Sequence, residues 1–360
     1  LTASRVDCYA DGAKVRCVGP SRTRKKTEGF RGAGRRLTRL ANARAAPYID
    51  CPQAEVPRVV ANTEIFVEAR PRSRVLPLVR DLVALTKPRI TMLVLMTGAA
   101  GMWLAPGNTD PAKLVRALIG TALIVGSANA LNMWWERESD AHMARTRNRP
   151  LPAGRMAPDV ALTFGIALAL VSAPMLFVVN VATGLLGLVA LLSYVAVYTP
   201  LKRHTHLALL VGAVPGAIPP LLGWTTVTGT IGLGGVLLFA VLFLWQIPHF
   251  AAISIFRAND YARAGLQVVS VQRGERAARH TVAFWTVLLV ATSLLFVPFG
   301  LAGRVYLLVA TLLGAGFLAM ALRGVRGGAK LDVARWAKRV FAYSIPYLSL
   351  LLLALLFDRI

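Results

Sequence analysis

From Thr86 onward the chain is a succession of apolar runs about as long as a bilayer is thick. They fall at about 86–105, 112–131, 158–179, 182–199, 207–225, 232–256, 280–299, 304–322 and 340–357. A helix rises about 1.5 Å per residue, so roughly 20 apolar residues cross a hydrocarbon core. The expected fold is therefore all-α, a polytopic membrane helix bundle of about nine transmembrane helices. Gly and Pro inside the runs, as in VGAVPGAIPPLLGW (211–224), are compatible with it because neighbouring helices satisfy the freed backbone groups. Gly212 and Gly216 form a small-xxx-small pair that lets helices approach closely.

Composition agrees. The 360 residues are 56% hydrophobic and only 16% charged, with a mean hydropathy of +0.56; a soluble domain carries more charge. The net charge of +24 is gathered into alternate loops. Those after the second, fourth, sixth and eighth runs read RESDAHMARTRNRPLPAGR, LKRHTH, RANDYARAGLQVVSVQRGERAAR and RGVRGGAKLDVARWAKR. The others, such as APGNTDPAK and VNVAT, hold few charges. Lysine and arginine favour the cytoplasmic side, which places the first set in the cytoplasm and the C-terminus outside. This bias accounts for the basic balance. Nucleic-acid binding is excluded, since no basic motif is interleaved with aromatics.

Residues 1–75 form a separate, arginine-rich segment with no periodicity and no apolar run long enough for a signal peptide. They are expected to be a disordered or non-native extension ahead of a membrane domain over 76–360; the other readings are an organelle transit peptide, for which the segment is too acidic, and a basic interaction tail. Cys8, Cys17 and Cys51 all lie there, with no CxxC pair, so neither a disulfide framework nor a zinc site is indicated.

The stretch NMWWERESDAHMARTRNRPLPAG (132–154) closes the second run. On a helix, Asn132, Glu136 and Asp140 stand four residues apart and share one face within about 80°. Acids contribute little to topology, and a polar row reaching into an apolar helix is costly unless it is used. A row of oxygen donors suits a hard cation such as Mg2+ that bridges carboxylates to a substrate phosphate. Arg145 and Arg149 add fixed positive charge suited to phosphate. Arg147 and Arg155 are read as topology charges.

The pattern N-x-x-x-E-x-x-x-D-x-x-M-x-R-T-x-x-R-P, from Asn132 to Pro150, resembles the first acidic motif of the UbiA superfamily of intramembrane prenyltransferases. Its form is similar to the protohaem IX farnesyltransferase branch. LTKPRI (85–90), YTPLKRHT (198–205) and WQIPHF (245–250), the last leading into RANDYARAG (257–265), agree in family order. Two positions depart from the pattern: Ser139 replaces an apolar residue, and Leu207–Ala208 stand where an asparagine is usual. The resemblance implies a UbiA-type bundle and a second acidic motif at Asp260 and Tyr261. It implies that Asn132, Glu136, Asp140 and Asp260 hold Mg2+ as catalytic residues, with Asn259 as a further oxygen. It also implies that Lys202 and Arg203, and the Lys87 and Arg89 that open the first run, contact the diphosphate. The substrates it implies are farnesyl diphosphate and haem B in the lipid bilayer of a bacterial inner membrane, or the mitochondrial inner membrane. Haem A synthase or a terminal oxidase would be assembly partners.

His249 and Asp260 are eleven residues apart and share a helix face if the helix continues. His249 is read either as a packing residue or as a contact to haem. Trp134 and Trp135 are candidate walls of an isoprenoid or porphyrin site, and His204 and His206 are expected to face solvent. Two other functions fit parts of the pattern. A prenyltransferase with a quinone or chlorophyll precursor as acceptor shares the metal site. A secondary transporter also uses broken helices and intramembrane polar groups, but near mid-membrane.

Overall fold

The computed structural model describes residues 7–11, 14–18, 75–143, 145–328 and 331–359. These belong to two units, Leu1–Val67 and Glu68–Ile360. The first unit holds an antiparallel pair, β1 (Asp7–Asp11) and β2 (Lys14–Val18), with Cys8 opposite Cys17 in the register. The expectation for 1–75 named no such hairpin. The Asp11–Gly12 turn signal between two short runs was its cue. Otherwise that expectation lies outside the described residues.

The second unit is helical: α1 (Val75–Leu85), α2 (Pro88–Leu104), α3 (Pro111–Ala141), α4 (Pro158–Val179) and α5 (Val181–Leu192). A π-helical turn, Ser193–Tyr198, carries α5 into α6 (Thr199–Leu201). Then follow α7 (Ala208–Thr228), α8 (Leu233–Phe256), α9 (Ala258–Arg263), α10 (Val269–Gln272), α11 (Gly274–Leu294), α12 (Arg304–Arg326) and α13 (Val333–Phe357). Among the described residues eight helices are long and apolar enough to cross a membrane, or nine if α1 and α2, bent by 46°, count as one span. The protein is an integral membrane protein.

Local chemistry sets the helix ends. Pro88, Pro111 and Pro158 open α2, α3 and α4, where a missing N–H has no cost and φ is already helical. Asp110, Asn180 and Asp332 accept from the backbone N–H of Ala112, Thr183 and Arg335 at 2.9, 2.8 and 3.0 Å, capping α3, α5 and α13.

The helices α2, α3, α4, α5 and α7 pack in a ring, α7 packs on α8, and α8, α11, α12 and α13 form a second group. Backbones meet at α2–α7. A methyl at Gly101 would run into the carbonyl of Pro220, and one at Gly223 into that of Gly98. The expected close approach at Gly212 and Gly216 is present as well, against the Tyr198 ring and the Gln246 side chain. In the second group Tyr306, Phe317 and Tyr347 are fully buried. Both phenols donate to Ser293, at 2.7 and 3.3 Å, so neither of these two hydroxyls is left unpaired.

The helix α3 has 31 residues, or about 46 Å of length. That exceeds a hydrocarbon core of about 30 Å, so its last turns extend past the apolar run and carry the acidic row.

Candidate active site

The acidic row lies on the continuous helix α3, and Asn132, Glu136 and Asp140 are all buried there, at 2%, 5% and 1% exposure. Two buried carboxylates need cations, and three elements supply them. Lys202, just past α6, forms an ion pair with Glu136. Arg149, in the loop after α3, donates to Asp140 Oδ2 at 2.6 Å. Lys87, between α1 and α2, reaches Asn132 Oδ1 at 3.5 Å. Asn132 Nδ2 donates to Glu136 Oε2 and to Thr199 Oγ1, both at 3.1 Å. Three basic side chains thus face two carboxylates, an arrangement that suits a polyanion.

Each partner is held in turn. Among the described residues Lys87 is the only non-glycine with positive φ, at 49°. This conformation costs an L-residue about 1–2 kcal/mol, and the following Pro88 restricts it further. The turn persists because the Thr86 carbonyl accepts from Thr91 Oγ1 at 2.8 Å and from Asn129 Nδ2 of α3 at 3.3 Å. The Lys202 ammonium lies 5.2 Å from the Tyr198 ring centroid, a cation–π distance. Tyr198 lies tilted against Tyr194 in the π-helical turn, with ring centroids 5.4 Å apart. Thr146 Oγ1 donates to the Asp140 carbonyl at 2.7 Å and closes the loop that returns Arg149 to the row. Arg155 grips the Asp81 carboxylate of α1 at 3.2 Å and donates to the Asn148 carbonyl at 3.1 Å. Read from the sequence as a topology charge, Arg155 instead ties α1 to this loop.

The second acidic motif is placed differently. The helix α8 stops at Phe256 and a new short helix, α9, carries Asp260, so His249 and Asp260 do not share a helix face. Asp260 pairs with Arg257 at 3.2 Å, and its side chain is 42% exposed. Among the described residues no three His, Cys, Asp or Glu side chains stand close enough to hold one metal ion. Asp260 is thus not gathered into the α3 row, and Asn259 beside it is exposed. Burial pushes the pKa of the neighbouring Tyr261 phenol up, and the positive charges of Arg145, Lys202 and Arg257 oppose that shift. The backbone joins the two segments, since Gln267 N–H donates to the Lys202 carbonyl at 3.0 Å.

The remaining expected residues divide. Arg89, Arg145 and Arg203 are exposed. His204 is exposed, but His206 is half-buried, its Nδ1 2.7 Å from Gln272 Oε1. Trp134 packs beside Leu85 and Met133, with Arg137 over its ring at 5.3 Å, and Trp135 is exposed. Trp245 donates to the Ser344 carbonyl, and Gln246 to the carbonyls of Ala213 and Leu242. His249 is buried between α8 and α13, with Nδ1 2.7 Å from Ser344 Oγ. Reading the sequence alone missed Thr199, Asn129, Tyr194 and Ser344. Thr199 lies inside the YTPLKRHT stretch, which was its only signal.

A buried row of oxygen donors faced by cations from three separate elements is what a diphosphate site in a membrane bundle needs. The UbiA prenyltransferase family model matches residues 94–345. The chain belongs to the UbiA prenyltransferase family. It is 52% identical over 291 residues to the protohaem IX farnesyltransferase of Myxococcus xanthus, covering 80% of this chain and 98% of that one. A solved structure described by the biosynthesis of digeranylgeranylglyceryl phosphate synthase in membranes shares the fold at a TM-score of 0.68 and 16% identity, over 78% of this chain and 98% of that one. A UbiA homologue from Archaeoglobus fulgidus, bound to GPP and Mg2+, matches at 0.55 and 16% identity, over 75% and 99%. The protein is thus a prenyltransferase on the protohaem IX farnesyltransferase branch of the UbiA family.

Proposed function

We propose that this enzyme transfers the farnesyl group of farnesyl diphosphate to a vinyl group of haem B, giving haem O. The reading is carried by the Asn132–Glu136–Asp140 row with its three cations, in a chain half identical to a relative that bears this activity's name.

The donor set fits Mg2+, since one amide oxygen and two carboxylates are all hard oxygen ligands. Asn132, Glu136 and Asp140 would hold it, with Asp260 brought in from α9. Bound there, Mg2+ would neutralise the charge that grows on the departing diphosphate. In the chain itself, Lys202 and Arg149 exchange their carboxylate partners for diphosphate oxygens. Lys87 keeps its place over Asn132, and Arg145, Arg203 and Arg89 add positive field at the rim. Such preorganised cations act most strongly on charge that appears only in the transition state.

As the allylic C–O bond breaks, the electron pair leaves with diphosphate. The apolar helices around the site keep water from the allylic cation. A haem vinyl carbon supplies the electrons for the new C–C bond. Water then adds to the adjacent carbon and loses a proton, giving a hydroxyethylfarnesyl group. On the α8–α9 side we assign Tyr261 to contact with the diphosphate substrate and His249 to contact with the haem acceptor alone. The site faces the cytoplasm across a bacterial inner membrane, and a haem A synthase or terminal oxidase would receive the product.

The test is haem extraction from membranes carrying wild type or Asp140→Ala, with mass spectrometry for haem O and an assay of Mg2+-dependent diphosphate release. Wild type should yield haem O, and the variant should lose it. A farnesylated quinone, or no prenylated product, would replace the reading with another acceptor or with transport.

A further inference from the structure

Ser344 of α13 is fully buried and is bonded to α8 twice. Its carbonyl accepts from Trp245 Nε1 at 2.6 Å, and its hydroxyl lies 2.7 Å from His249 Nδ1. That same hydroxyl donates to the Phe341 carbonyl at 2.7 Å. A serine hydroxyl has one hydrogen to give, so towards His249 its oxygen accepts. Nδ1 therefore carries the proton, and Nε2 keeps its lone pair.

The imidazole is held firmly. Trp245 stacks on it at 4.6 Å, Phe341 lies tilted at 4.8 Å and Phe250 meets it edge-on at 5.2 Å. Nε2 has no hydrogen-bond partner among the described residues, and it is not one of the sealed, unpartnered buried atoms, which are Trp224 Nε1 and Arg279 Nε. A histidine used only for packing has little need of one nitrogen fixed by a buried hydroxyl and the other accessible with a free lone pair. A histidine that ligates a metal has this arrangement, because the hydrogen bond at one nitrogen sets the tautomer and aims the other.

We propose that Ser344 is a positioning residue that fixes the His249 tautomer and so presents Nε2 as an axial ligand to the iron of the acceptor haem. The inference rests on haem B being the acceptor. The bond is dative, from the Nε2 lone pair to iron, with no change of oxidation state, and it anchors the macrocycle relative to the α3 row.

The experiment uses full-length protein in nanodiscs titrated with ferric haem B and read by absorption and electron paramagnetic resonance. Wild type should show an imidazole-ligated haem. His249→Ala should lose that signature and regain it with added imidazole. Ser344→Ala should bind haem on the order of 10-fold more weakly, the usual effect of losing such a hydrogen bond, while the ligation signature returns at saturation. Ser344→Thr keeps the hydroxyl and should stay near wild type. Unchanged farnesyl diphosphate binding in each variant reports an intact fold, and His249→Gln serves if the alanine variant does not accumulate. A wild type that makes haem O while its haem spectrum is indifferent to His249 overturns the inference alone. Unchanged haem affinity in Ser344→Ala overturns the role of Ser344. A wild type that yields no haem O overturns the reading beneath both.

Discussion

At the scale of single residues, the ion pair between Glu136 and Lys202 separates stability from function. Both side chains are largely buried, at 7% and 17% exposure. Removing one partner of such a pair strands the other and costs about 3–5 kcal/mol, whereas replacing both by apolar groups is often neutral. Lys202→Met should therefore lower the melting temperature in detergent, and adding Glu136→Leu should restore most of it. Farnesyl transfer should stay abolished in both. Recovery of activity in the double variant would remove the pair from the site. Arg149→Lys tests geometry at constant charge. Arginine can grip a phosphate at two oxygens and lysine cannot, so the KM for farnesyl diphosphate should rise by about tenfold, a cost near 1.4 kcal/mol. What the sequence showed at this scale was the row itself, because Asn132, Glu136 and Asp140 are linked by helix periodicity alone. Thr199, 67 residues from Asn132, and Asp81, 74 residues from Arg155, depend on which helices become neighbours, and no local spacing encodes that.

At the scale of elements, the site depends on how closely α7 can approach α2 and the π-helical turn. Gly223 faces the Gly98 carbonyl, and a backbone oxygen cannot swing aside as a side chain can. Gly223→Ala should cost about 1–3 kcal/mol, the range for overpacking, and lower the melting temperature without specific loss of diphosphate binding. Gly212→Ala presses on the Tyr198 ring instead. It should cost less stability but displace the platform under Lys202, raising the KM for farnesyl diphosphate. Equal effects of the two on stability and on KM would refute this division. The small-xxx-small spacing of Gly212 and Gly216 made the close approach legible, though not its partners. The π-helical turn and the left-handed Lys87 were not legible. Each is a local departure from the preferred backbone, upheld by contacts from another helix, such as Asn129 to Thr86. The break between α8 and α9 was likewise invisible, because nothing in SIFRANDY interrupts helical periodicity.

At the scale of the whole molecule, the acidic row and the α9 segment must lie on one side of the membrane for a single diphosphate to meet both. The alternation of apolar runs and basic loops predicts that arrangement, and the helices follow the expected runs from 112–131 to 340–357. The first run, 86–105, is matched by α2 as well, with α1 added ahead of it at a bend of 46°. Lysine and arginine in short loops resist translocation, so loops with like charge should share a face. Single cysteines placed at the exposed positions Asn148, His204 and Arg263, and at Asn108, Thr230 and Phe299, in a chain whose Cys8, Cys17 and Cys51 have become serine, test this directly. An impermeant maleimide applied to intact spheroplasts should label only the second set, and the first set should react only in inverted vesicles. Labelling of His204 or Arg263 from the outside, with Asn148 protected, would put α9 across the membrane from Asp140. No movement of α9 within the bundle would then bring Asp260 to the same substrate.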